Sequence, residues 1–83
     1  MAKIVLTDDH SLLRSGLASL VQSLGHTVLF EANNGKDLLA KLDAKQLPDI
    51  LLLDINMPEM DGYETAQWLK TNHPSIKVLA LSM

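Results

Sequence analysis

The sequence predicts an α/β domain, a doubly wound parallel sheet with helices on both faces. Two observations predict it. Short apolar runs without polar interruption recur along the chain, as strands covered on both sides require. Between them lie stretches of about three helical turns, so the units are βαβ with right-handed crossovers. At 83 residues, 47% apolar and 20% charged, the chain has material for one core and shows no internal repeat or low-complexity tract.

The first strand is Lys3 to Leu6, a β-branched run ending in "TDD". Ser11 is placed to cap a helix whose Leu12, Leu13, Gly16, Leu17, Leu20, Val21 and Leu24 recur at the spacing of one face, with Gly25 as a left-handed stop. "HTVLFEA" reads as the second strand. Asn34 then caps a second helix that turns Leu38, Leu39 and Leu42 inward and ends at "KQLP". "ILLLD" is the central strand. After the punctuation of "NMPEMDG", Tyr63, Ala66, Trp68 and Leu69 outline a third helix, halted by "NHP". "IKVLALS" is a fourth strand, and it leaves a sheet edge open to pairing with another chain.

Composition narrows the function classes. A formal charge of −3 with no Lys/Arg cluster argues against direct DNA binding by this segment. The absence of cysteine excludes disulfides and thiolate metal sites. The apolar run "AKIVL" is too short for a signal-peptide core and no other run approaches a membrane span, so a cytoplasmic protein without membrane contact is expected.

Ligand sites of doubly wound sheets lie outside the carboxyl ends of the strands. Strand one ends in Asp8 and Asp9, strand three in Asp54 and strand four in Ser82. If strands one and three are neighbours, roughly 4.8 Å apart, the three carboxylates can share one ion. Crowded carboxylates repel unless a cation compensates, and an oxygen-only donor set suits Mg²⁺. His10 has no histidine partner at i+4, so it is read with His26 and His73 as a surface or helix-end residue. Asp54, followed by the rigid "NMPEMDG", is the candidate nucleophile toward phosphorus, and Ser82 could hydrogen-bond a phosphoryl oxygen.

The acidic "DD", the block "LLLDINMPEMDG" and "VLALS", in that order along essentially the whole chain, resemble the receiver domain of two-component response regulators. "TDDHSLLRSGLASLV" with "LALSM" is similar to receivers joined to a DNA-binding helix-turn-helix of the NarL/FixJ type. The resemblance implies a flavodoxin-like (CheY-like) fold with strand order 2-1-3-4, continued in whole receivers by a fifth strand and further helices. Residues 1–83 then form a partial receiver domain, without the fifth-strand lysine that contacts the phosphoryl group. It further implies that Asp54 is the phosphoacceptor, that Asp8, Asp9, Asp54 and the backbone carbonyl of Asn56 hold Mg²⁺, and that Ser82 is the switch hydroxyl. The donor would be a phosphohistidine on a sensor histidine kinase, and the role that of a switch rather than an enzyme.

Two alternatives stand beside this. One is a non-signalling fragment that forms a homodimer through the exposed edge of strand four. The other is an aspartyl-phosphate phosphatase, which usually carries a second acid two residues after the nucleophile; Asn56 occupies that position here and cannot donate a proton in that way.

Overall fold

A computed structural model describes residues 1–54 and 62–81. Strands and helices alternate as β1 (Lys3–Thr7), α1 (Ser11–Ser23), β2 (Thr27–Ala32), α2 (Gly35–Lys41), β3 (Ile50–Asp54), α3 (Gly62–Asn72) and β4 (Lys77–Leu81). The strands form one parallel sheet in the order β2-β1-β3-β4, the order the sequence predicts. β1 and β3 are therefore interior, and β2 and β4 are the outer strands.

Alternation along the strands divides the core in two. On one face Val5, Leu51 and Leu53 pack with Ala32, Leu38, Leu69 and Ile76, joined by the partly buried Phe30, Leu42, Ala66 and Trp68, which seats α2 and α3. On the other, Ile4, Leu6 and Ala18 pack with Leu17, Val21, Val28, Ile50 and Leu52, which seats α1. Leu38, Leu51, Leu53 and Val5 are completely shielded from solvent.

The apolar face expected for α1 is only partly the buried one. Ala18 is buried and Leu17 and Val21 partly so, whereas Leu12 is 87% exposed, and Leu13, Leu20 and Leu24 also remain exposed. The apolar positions span more of the helix circumference than one sheet contact covers. Leu13, Leu20 and Leu24 lie about a quarter turn around from the stripe that meets the strands, and Leu12 lies farther still. Of the residues that outline α3 in the sequence, Tyr63 is 72% exposed and Leu69 buried; Gly62 and Thr65 take the other buried positions.

The caps also differ from expectation in one place. The N-cap of α1 is His10, not Ser11, and it makes no side-chain cap bond. Gly25 behaves as predicted: its φ of 92° lies in the left-handed region, and its N–H donates to the carbonyl of Gln22 at 3.0 Å.

Asn34 caps α2 as predicted, its Oδ1 accepting the N–H of Asp37 at 2.8 Å, while Asp37 Oδ2 accepts the N–H of Asn33 at 3.0 Å. Lys41 lies one turn on, 3.2 Å from Asp37. The backbone N–H of Asn33, and after it Lys41, hold the Asp37 carboxyl below the usual aspartate value of 3.8.

Two outcomes follow from this packing. Leu38→Ala should cost about 2–5 kcal/mol in urea unfolding, whereas Leu12→Ala should change stability by less than about 0.5 kcal/mol. Equal losses would show that α1 buries its whole apolar circumference. Because the folded-state pKa of Asp37 is depressed, its contribution is complete above the unfolded value and is lost as pH falls through the folded one. The stability gap between the protein and Asp37→Asn should therefore be constant near neutrality and close only in acid. A gap independent of pH down to the acid limit would contradict the charged pairing.

Candidate functional site

The β1–β3 register pairs Ile4 with Ile50, Val5 with Leu51, Leu6 with Leu52 and Thr7 with Leu53. Carried one step on, it sets Asp8 beside Asp54. By alternation both carboxylates lie on the face of Ile4, Leu6, Ile50 and Leu52, the one that α1 covers. α1 starts at this end of the sheet, three residues after Asp8. Asp8 and Asp54 are buried, while Asp9 and His10 are exposed and leave the outer side open to solvent.

The four residues offer donor atoms that all lie within 4.8 Å of one another. Asp8, Asp9 and Asp54, predicted as a shared ion site from positions far apart in sequence, are thus brought together. His10, read as a helix-end residue, is one, and its ring also reaches the acids. Its Nδ1 lies 3.2 Å from Asp8 Oδ1, 3.1 Å from Asp9 Oδ1 and 4.0 Å from Asp54 Oδ2. The backbone N–H of His10 donates to the same Asp8 oxygen at 2.8 Å, which folds the ring back over the strand end. Its signal was its place immediately after "DD", where the chain must turn from strand to helix. Asn56 and Ser82 lie outside the described residues.

A positioning residue escaped the sequence reading. Arg14, in the first turn of α1, donates from Nη1 to the carbonyl of Asp8 at 2.6 Å and to Asn33 Oδ1 at 2.8 Å. It also reaches the Ala32 carbonyl at 3.4 Å, and its Nε pairs with Glu31 Oε1 at 3.0 Å. Asp8 itself donates its N–H to the Ala32 carbonyl at 3.1 Å. The guanidinium fork thereby ties the end of β1 to the end of β2 and to the approach to α2. A single cation on the sheet-facing side of an otherwise uncharged helix was the available clue.

Three carboxylates at this spacing are an oxygen-rich pocket open on one side. Hard divalent cations take such donors and keep water on the remaining positions, so the donor set fits Mg²⁺. Asp54 is buried at the strand end, with the exposed Asp9 and His10 on its outer side.

Comparison with known proteins agrees with the geometry. The family model described as the response regulator receiver domain matches residues 4–83. The transcriptional regulatory protein LnrK of Bacillus subtilis is 44% identical over 99% of this chain, and the response regulator GacA of Pseudomonas syringae is 35% identical over all of it. The chain spans 37% and 39% of the length of those relatives. The chemotaxis protein CheY of Listeria monocytogenes is 38% identical, the match covering 99% of this chain and 68% of CheY. Among solved structures, the response regulator TrrA of Thermotoga maritima in complex with Mg²⁺-BeF superposes with a TM-score of 0.86 at 29% identity, over 99% of this chain and 70% of that one. The receiver domain of NarL from Mycobacterium tuberculosis does so at 0.83 and 36% identity, over 98% and 65%. An acid pair fixed by strand register, a matching fold and a family match along nearly the full length lead to one conclusion: the chain belongs to the family of response regulator receiver domains.

Proposed function

We propose that this chain is the phosphoacceptor switch of a two-component regulator, taking a phosphoryl group on Asp54 in a Mg²⁺-dependent transfer from the phosphohistidine of a sensor kinase. The observation that carries this reading is the buried Asp54 carboxylate set beside Asp8 and Asp9 at the carboxyl ends of adjacent strands. That the Thermotoga relative is a complex with Mg²⁺-BeF supports the choice of ion and of ligand.

Asp8, Asp9 and Asp54 would hold Mg²⁺, with the carbonyl of Asn56 as a further ligand. When bound, the ion supplies charge compensation for the carboxylates and for the phosphoryl oxygens. Asp54 contributes the nucleophilic oxygen: the new O–P bond forms as the P–N bond breaks, and the electron pair returns to the imidazole nitrogen of the kinase. Arg14 keeps the Asp8 backbone in place, and Ser82 hydrogen-bonds a phosphoryl oxygen of the product. The chain accepts a group and changes state, without turnover as an enzyme. The names of LnrK and of other transcriptional regulators among the relatives support a DNA-binding output in the intact protein, with the receiver itself not touching DNA. Among the described residues no helix is long and apolar enough to cross a membrane, which accords with a cytoplasmic setting.

Incubation with Mg²⁺ and a small phosphodonor such as acetyl phosphate should add one phosphoryl group, stable in acid and labile in base. Asp54→Ala and chelation with EDTA should each abolish it. An unchanged intact mass, or an adduct that persists in Asp54→Ala, would overturn the assignment.

Self-association is a second reading, favoured by one observation. β4 is an outer strand, paired only with β3 among the described residues, and its Leu79 is 53% exposed. A weight-average mass that rises with concentration in light scattering, and falls back in Leu79→Lys, is the expected result. A monomer at every concentration would exclude it.

A further inference from the structure

We infer that Glu31, at the end of β2, is a positioning residue that acts through Arg14: by pairing with the guanidinium it holds that positive charge on neutral oxygens and away from the carboxylates of Asp8, Asp9 and Asp54. The inference rests on the reading of those three acids as a cation site. What it adds is a residue outside the group, on another strand, that sets how readily the site fills.

The end of the β1–β2 ladder carries it. The last paired residues are Thr7 and Ala32, and one further bond runs from the Asp8 N–H to the Ala32 carbonyl. The chain then leaves β2 for α2, which Asn34 caps, so no strand residue follows to meet the Asp8 carbonyl. Arg14 takes over that task. Its Nη1 donates to the Asp8 carbonyl at 2.6 Å and to Asn33 Oδ1 at 2.8 Å, and both acceptors are neutral.

A positive charge is thereby fixed to the main chain of a residue whose side chain belongs to the site. The Arg14 side chain is only 14% exposed, so water compensates little of its charge, and Glu31 Oε1 does so from 3.0 Å. Register places Glu31 for this: it pairs with Leu6, which sets its side chain on the face that α1 covers. Without a carboxylate partner the guanidinium has two outlets, and each opposes ion binding. Left in place, it repels a divalent ion; turned toward the acids, its fork competes for the same oxygens. A neutral Arg14–Glu31 pair avoids both.

Glu31→Gln keeps the length and the acceptor oxygen that Arg14 Nε bonds, and removes only the charge. When the whole chain is titrated with Mg²⁺ and followed by the amide resonances of β1, the affinity of Glu31→Gln should fall about tenfold, the scale on which the partners of ion ligands act. Adding Arg14→Gln to it should restore most of that loss, since no unpaired charge remains. An affinity unchanged in Glu31→Gln, or a double variant no better than the single one, would overturn the role of Glu31 and leave the cation site standing. An unaltered chain that binds no Mg²⁺ would overturn both. The unaltered chain also decides the matter if neither variant folds: its Arg14 Nε proton should resist exchange with solvent, with and without saturating Mg²⁺. An Nε proton that exchanges as fast as that of free arginine would overturn the pairing.

Discussion

The parallel register of β1 against β3 is the constraint on which everything else depends. It aligns Thr7 with Leu53, and so brings two carboxylates together one step beyond the last paired residues. Within either strand the same register is a packing device, sending Val5, Leu51 and Leu53 to one core and Ile4, Leu6, Ile50 and Leu52 to the other. A slip of one residue would reverse the faces of a whole strand, so the hydrophobic core enforces the geometry of the acids. Site and fold share one determinant.

Holding two buried carboxylates side by side is unfavourable in itself, because each loses hydration and repels the other. Groups drawn from the start of α1 hold one of the two in place. The backbone N–H of His10 donates to Asp8, and Arg14 bonds the Asp8 carbonyl while anchored to Glu31 and Asn33. These contacts make α1 more than a cover for the sheet. Its first turn fixes where Asp8 can be, and its later turns, through Ala18, Leu17 and Val21, fix where the first turn can be.

Much of this was legible in the amino-acid sequence, and for a physical reason. Uninterrupted runs such as "ILLLD" specify buried parallel strands, and residues at strand ends inherit their positions from the sheet, so the gathering of Asp8, Asp9 and Asp54 could be read in advance. Asn34 and Gly25 were legible because capping and left-handed turns are local chemistry. What periodicity could not give was the width of a contact. The leucines of α1 exceed what one face of the sheet covers, and a pattern of apolar spacing does not say which part of a broad apolar arc is used. The role of Arg14 was hidden for a related reason. It reaches across to Glu31 on β2 and to Asn33 beyond it, and spacing within one helix carries no record of such a reach.

The acids of the site are unevenly divided along the chain. Asp8 and Asp9 are consecutive, while Asp54 arrives with β3 after two crossovers. The local pair belongs to the β1–α1 connection, but the third acid joins only when strands distant in sequence have paired, the slow and entropically costly step in assembling such a sheet. An ion held by all three would therefore be a sensor of tertiary assembly. Its binding free energy would be added to the native state alone and withheld from partly folded chains, linking ionic conditions to the cooperativity with which this small domain holds together.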